Sequence, residues 1–436
     1  MKTKQHIVIV GGGAGGLELA TKLGHKLGKK NTAKITLVDR NAVHIWKPLL
    51  HEVATGSMDT EIDGVVYRAH AAKHHYQFQV GDLSYVDSAN KTITLAPLLS
   101  QDNGSLVLPE RKISYDTLVL AIGSTSNDFG TPGVSEHCYM LDSSQQAQRF
   151  QRKLLNSFLR NSQAVDENDG IPVTKLAIVG AGATGVELSA ELYHVVELVG
   201  NYDVDNKPGQ RLAIELIEAG PRILPALPER IADAAAKELE KLGVTIHRDK
   251  RIVGAQEDGF IDADGNKIEA DLMVWSAGVK SADWLADIGL AVNRGNQIVC
   301  HRTLKSENDT SIYAIGDCCG VEMADGQRVP PRAQSAHQMA SVVAKNIQNE
   351  LKGLELVEFK YKDYGSLVNL SRFSTVGSLM GNLVKGSMFV EGRIARLMYL
   401  SLYRMHQLAI HGYFKGSFII IMSKLSKLIR PKMKLH

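Results

Sequence analysis

At 436 residues, with 44% apolar and 22% charged side chains, the chain has room for two or three domains and a large core, and its composition excludes a disordered or fibrous protein. The formal net charge of +3 hides a division: nine Lys or Arg and no acid lie between Arg393 and His436, so the other 392 residues carry 41 basic and 47 acidic side chains, a net of −6. An acidic body with a basic end points to an anionic surface as partner and gives no reason to expect nucleic acid.

The first apolar stretch, Ile7-Val8-Ile9-Val10, is too short for a signal peptide and runs straight into a glycine turn. Gly11, Gly13 and Gly16 have GxGxxG spacing there, and a helix-like LELATKLGHKL follows. A second strand-like run, Ile35-Thr36-Leu37-Val38, ends in Asp39, roughly where the dinucleotide fingerprint places an acid on ribose hydroxyls. Trp46-Lys47-Pro48-Leu49-Leu50-His51-Glu52 follows that strand, near the strand ends where doubly wound folds bind ligands. His70 and His74 share a helix face but lack a cysteine or carboxylate cluster, so a solvated face is expected and no metal site. Residues 76 to 96 alternate as short antiparallel strands would. Tyr115 to Gly123 then supplies an acid, a buried strand and a glycine stop.

GAGATGVE, Gly180 to Glu187, repeats the pattern. It follows Leu176-Ala177-Ile178-Val179 and opens a helix, so Gly180, Gly182 and Gly185 fall where a strand turns into a helix. The three glycines permit a tight turn, close approach of a pyrophosphate to the backbone, and tight helix–strand packing. A strand from Leu212 to Ile217 ends in Glu218, after a polar insertion at Gly200 to Gln210. Ala270 to Gly278 repeats the acid, strand and glycine phrase. A chance glycine-rich turn is tenable for one copy and poor for both. Two dinucleotides are therefore expected.

Ser311 to Asp317 is a further strand ending in Gly-Asp, and Val329-Pro330-Pro331-Arg332 leads into a helix from about Ala333 to Leu351. These residues read as the chain's return to its first domain. The expected fold class is α/β: two Rossmann-like dinucleotide-binding domains, the second (146–290) inserted in the first (1–145 and 291–355), plus a C-terminal amphipathic helical membrane-binding region (356–436), which begins with a small sheet at Lys360 to Gly392. Cys138, Cys300, Cys318 and Cys319 form no CxxC, and a reducing compartment is expected. Cys318 and Cys319 read as small buried residues, with a redox or soft-metal role left open.

The paired fingerprints, GATGVELSAEL at 182–192, YAIGD at 313–317 and PPRAQSAHQ at 330–338 resemble the two-dinucleotide-domain flavoprotein reductases, and among them the bacterial type II NADH dehydrogenases, over the whole chain. The resemblance implies FAD, tightly bound, in the first unit and NADH as substrate in the second. It implies that Gly11, Gly13, Gly16 and Asp39 hold the adenosine diphosphate end of FAD and that Asp317 bonds its ribitol. Pro48, Leu49 and Ala333 border the flavin, and Gly180, Gly182, Gly185 and Glu218 hold NADH. A carboxylate at Glu218 accepts both ribose hydroxyls and repels a 2′-phosphate, which favours NADH over NADPH, although Arg222 stands close by. Glu187, Gln334 and His337 are implied at the quinone site, with Glu187 on the first helical turn as proton donor. The reaction implied is NADH oxidation through FAD with reduction of quinone to quinol and no proton pumping.

The tail carries two helical stripes: Ile394, Leu397, Met398, Ser401, Met405 and Leu408, then Phe418, Ile421, Met422, Leu425, Leu428 and Ile429, with basic residues opposite. No run approaches the ~20 apolar residues that span a bilayer. An interfacial attachment of residues 393–436 to anionic lipid is expected, making this a peripheral membrane protein of the cytoplasmic face, with a homodimer left open. Two other readings stay open: an NADH-sensing membrane flavoprotein and an enzyme like sulfide:quinone reductase.

Overall fold

A computed structural model describes residues 4–100, 102–163, 173–200, 212–370, 374–381 and 384–429, and the chain divides into two units. The first contains 1–46, 64–125 and 280–362; the second contains 47–63, 126–279 and 363–436.

In the first unit, five parallel strands run in the order Ile312–Ala314, Thr117–Leu120, Gln5–Val10, Ala33–Asp39 and Gln77–Val80. Ile7, Val8 and Ile9 on the central strand are fully buried. Such continuous apolar runs suit a parallel sheet whose two faces are both covered. Helices Ala14–Leu23 and Ala333–Glu350 pack against each other.

Residues 76–96 are not uniformly antiparallel. Gln77–Val80 is the parallel edge strand, with Thr36 opposite Gln77, and only Leu83–Asp87 and Thr92–Leu95 pair antiparallel, joined by Arg111–Ser114. The alternation misleads because a parallel edge strand with one covered face also alternates: Phe78 is buried between exposed Gln77 and Gln79.

The expected solvated face at His70 and His74 is also corrected, since both rings are buried. They stack with centroids 4.0 Å apart; His74 Nδ1 lies 2.8 Å from His25 Nε2, and His70 Nδ1 lies 2.8 Å from the Tyr76 hydroxyl. Gly24 and Gly28 permit this packing, because a Cβ on either would stand 2.0 Å from the carbonyl oxygen of His74 or His75.

In the second unit, parallel strands run in the order Thr245–His247, Leu212–Ile217, Thr174–Val179 and Leu272–Trp275. Helix Leu50–Thr55 packs against helices Ser144–Gln163 and Ala183–Gly200, burying Leu50, Val53 and Ala54. The three-stranded antiparallel sheet Gly365–Leu370, Ser374–Gly381 and Val384–Glu391 leads into helices Gly392–His411 and Tyr413–Ile429. The two units therefore cut the chain differently from the expected domains. Residues 47–63 and 363 onward fall in the second unit, where the short helix and strand Gly365–Leu370 both pack on Ala183–Gly200.

Of the expected insertion at Gly200 to Gln210, Gly200 ends the helix and residues 201–210 lie outside the described residues, as do the side chains of Ile394, Leu397, Met398, Leu428 and Ile429 in the two stripes. Among the described residues, no helix is long and apolar enough to cross a membrane.

Candidate dinucleotide and proton sites

The two glycine loops have closely matching geometry. Gly11 and Gly180 adopt φ +102° and +99°, where a side chain would be strained, and their N–H groups each donate to the neighbouring parallel strand at 2.8 Å, to the carbonyls of Val38 and Ile217. A Cβ on Gly16 would stand 1.8 Å from the Gly11 oxygen, and one on Gly185 would stand 2.1 Å from the Gly180 oxygen. By contrast, a Cβ on Gly13 or Gly182 would meet nothing within 4 Å. Each loop therefore closes tightly on its own backbone and leaves its middle glycine facing open space, which fits a diphosphate approaching the helix N-terminus.

The acids that end the second strands are tied to these loops. Asp39 Oδ2 accepts from the Gly12 N–H at 2.6 Å and Oδ1 from the Asn41 N–H at 2.8 Å; burial pushes the carboxyl above its usual range despite these bonds. Glu218 accepts from the N–H groups of Ala181 at 3.0 Å and Gly220 at 2.9 Å. Arg222 Nη2 donates to the Pro225 carbonyl at 3.1 Å. The acid before each closing strand clamps the start of its sheet: Asp116 and Asp271 accept from the N–H groups of His6 and Lys175, both at 2.7 Å. The repeated phrase in the sequence thus has a repeated mechanical purpose.

Within the first unit, Asp317 sits on a tight turn after strand Ile312–Ala314, where its Oδ2 accepts from the Ser124 hydroxyl at 2.7 Å. Its carbonyl accepts from Gln297 Nε2 at 2.9 Å. Ala333 and Gln334 open helix Ala333–Glu350, whose first turn is anchored by the Ser335 hydroxyl donating to the Pro330 carbonyl at 2.7 Å. His337 Nδ1 meets Glu18 Oε2 on the first loop's helix. Cys318 and Cys319 are buried, and their thiols are pushed above the usual range, by burial for Cys318 and chiefly by the Cys300 side chain for Cys319.

Within the second unit, Pro48 and Leu49 form the turn Lys47–Leu49 that leads into helix Leu50–Thr55. Glu187 lies in the second turn of helix Ala183–Gly200, one turn later than expected, because the helix begins at Ala183. It is 7% exposed, accepts from the Asn369 N–H at 3.0 Å and faces His51 Nδ1 at 3.7 Å.

The sequence pattern of the pyridine nucleotide-disulphide oxidoreductases matches residues 5–340. The chain is similar to a type II NADH:quinone oxidoreductase of Haemophilus influenzae, with 47% identity over 99% of this chain and 100% of that protein. A protein of the same description from Staphylococcus aureus is 30% identical over 88% of this chain and 92% of its own. The chain belongs to the type II NADH:quinone oxidoreductases. A solved structure of NDH2 from Plasmodium falciparum in complex with NADH, 18% identical, superposes with a TM-score of 0.82 over 99% of this chain and 100% of that one, which shows the shared fold.

Three residues of this oxidoreductase escaped the sequence reading: Glu18, His51 and Glu191. Setting Gly11 on Gly180 places Glu18 on Glu187 and Lys22 on Glu191. That internal alignment was the available signal for Glu18 and Glu191. Only the folded chain brings in His51, whose imidazole is pushed below its usual range by burial, while the charge of Glu191 pulls the other way.

Proposed function

We infer that the chain oxidises NADH and reduces a quinone to quinol by way of bound FAD, with FAD in the first glycine loop and NADH in the second. The observation that carries this reading is the pair of intact loops, each with an open middle glycine and a tethered acid, in a chain related to type II NADH:quinone oxidoreductases along its length. Bound flavin supplies the hydride and electron chemistry. Gly11, Gly13, Gly16 and Asp39 bind its nucleotide end, and Asp317, oriented by Ser124, bonds its ribitol. Gln334, Ala333, Pro48 and Leu49 keep the family roles given above. Glu218 accepts the NADH ribose hydroxyls and disfavours a 2′-phosphate; Arg222 is engaged by Pro225 and does not counter it. Glu187 holds a proton for the quinone in a buried, water-poor setting. His337, bonded to Glu18, positions the helix that begins at Ala333.

The test is steady-state turnover of the flavin-loaded protein in lipid with a short-chain quinone. NADH consumption should depend on quinone, and NADPH should be a poor substitute. Flavin that NADH bleaches and quinone fails to restore would overturn the reading in favour of an NADH sensor.

The C-terminal helices attach this enzyme to the surface of a membrane, from which a long-tailed quinone is drawn. On helix Tyr413–Ile429, Phe414 is 92% exposed and Phe418 64%, and Ile421, Met422 and Leu425 are exposed beside them. Each such side chain contributes about 1.5–3 kcal/mol on burial, and each basic residue about 1 kcal/mol near anionic lipid. Replacing Phe414 and Phe418 by Asp should move the protein from the membrane pellet to the supernatant, and retention in the pellet would refute the attachment.

A further inference from the structure

The strands that close the two parallel sheets lead into matching glycines with different surroundings. Setting Asp116 on Asp271 places Gly123 on Gly278. A Cβ on Gly123 would meet nothing within 4 Å, whereas one on Gly278, at φ +66°, would stand 2.5 Å from Phe129 Cζ. The tip of an aromatic ring thus rests on the second glycine. That ring is 66% exposed, and its residue holds φ +53°, a left-handed conformation that is an outlier for a bulky side chain.

The neighbours of Phe129 within the second unit enforce this conformation. Asn127 Oδ1 accepts from the Phe129 N–H at 3.0 Å, and Asp128 Oδ1 accepts from the Gly130 N–H at 3.1 Å. The Asn127 carbonyl accepts from Nε1 of buried Trp275 at 2.8 Å, and the Asn127 N–H donates to the Gly278 carbonyl at 3.3 Å. Folding gains little from an apolar ring fixed in water on a strained backbone. Residues held in this way cluster at ligand clamps.

Strand order decides which part of a ligand the ring meets. Leu212–Ile217 and Leu272–Trp275 flank Thr174–Val179, so Glu218 and Gly278 follow strands on opposite sides of the one that leads into the Gly180 loop. Ala277 closes directly on that loop: a Cβ on Gly180 would stand 2.6 Å from the Ala277 Cα, and the Ser276 hydroxyl donates to the Gly180 carbonyl at 2.8 Å. A dinucleotide with its adenosine ribose at Glu218 and its diphosphate at the loop therefore runs its other end toward Gly278.

We propose that the open side of the Phe129 ring receives the nicotinamide ring of NADH. The inference rests on the assignment of NADH to the second glycine loop made above. Offset stacking against Phe129 fixes the plane of the nicotinamide at the end of strand Leu272–Trp275. The first unit, with Gly123 uncovered, lacks this wall.

The test is anaerobic stopped flow of the flavin-loaded enzyme, reading flavin bleaching against NADH concentration, with ADP-ribose, which lacks nicotinamide, as competitor. Phe129→Asn removes the ring and keeps a residue that tolerates the left-handed backbone. In it, the NADH concentration for half-maximal bleaching should rise roughly fivefold, the scale of one aromatic pair. Phe129→Leu keeps apolar bulk without a flat face and should behave likewise, whereas Phe129→Tyr should match wild type. The inhibition constant of ADP-ribose and the melting temperature should hold their wild-type values in all three variants, because the ring is exposed and lies beyond the diphosphate. Wild-type half-saturation in Phe129→Asn and Phe129→Leu overturns the proposal. Equal weakening of NADH and ADP-ribose also overturns it, since the ring would then act on the adenosine half. Wild-type enzyme whose flavin NADH fails to bleach instead overturns the functional reading beneath it.

Discussion

Glu18 and Glu187 occupy the same position in two copies of one supersecondary unit, and both are buried, but their described partners differ. Burial pushes the Glu18 carboxyl up, but His337 and Lys22 outweigh that and hold it below the usual glutamate range. It is an ionised residue that staples helix Ala333–Glu350 to helix Ala14–Leu23. On the second helix the position matching Lys22 is Glu191, and the partners of Glu187 include the buried His51 imidazole at 3.7 Å and the Asn369 N–H at 3.0 Å. A repeated backbone thus preserves the glycine loop, while the residue one helical turn on changes from Lys22 to Glu191.

The glycine loops are the hardest way to break this comparison. Gly16→Ala and Gly185→Ala each drive a methyl into a backbone oxygen that has no room to move, and overpacking of this kind costs ~1–3 kcal/mol or more. Gly16→Ala should yield protein with little flavin. Gly185→Ala should retain flavin that NADH reduces slowly. Absorbance per chain and the rate of bleaching measure the difference, and equal loss of flavin in both would abolish the separate assignment of the loops.

The two glutamates sharpen it next. Glu187→Gln should lower quinone turnover by about 10²-fold, the scale of a lost proton donor, with flavin content unchanged. Glu18→Gln should instead lower the melting temperature, through a loss of about 1–3 kcal/mol for a buried charge-assisted pair. The sign in pH follows from the lowered Glu18 carboxyl. Its stabilisation is complete above the ordinary glutamate value of 4.5 and disappears as pH falls through the lower folded value, so the melting difference between wild type and Glu18→Gln should shrink in acid. A melting difference that is constant down to acid pH would show that the ion pair contributes nothing.

The smallest effect separates the two ribose acids. Glu218→Ala should raise the NADPH-to-NADH ratio of kcat/KM by about tenfold through loss of repulsion, whereas Asp39→Ala should weaken flavin retention and leave that ratio alone. A ratio unmoved by Glu218→Ala would place the adenosine ribose elsewhere.

Much of the architecture was legible because it is local. A fingerprint glycine is required by its own φ or by a neighbour five residues away, as Gly16 is by the Gly11 oxygen, and the apolar runs at Ile7 to Val10 and Leu176 to Val179 announce doubly covered strands. Alternation was less decisive at Gln77–Val80, where one covered face looks the same in a parallel or an antiparallel edge. The burial of His70 and His74 depended on two glycines some fifty residues earlier, and nothing near the histidines signals it.

The sequence by itself determined the duplicated dinucleotide loops, their acids, the family and the position of Glu187, since each rests on spacing within one strand–turn–helix unit. Tertiary structure alone decided what faces Glu18 and Glu187. His337 is 319 residues from its partner Glu18, and His51 is 136 residues before Glu187 (187 − 51). Charge and burial are properties of the packed neighbourhood, so two identical residues in matching frames became an ion-paired staple and a candidate proton donor only when the chain folded.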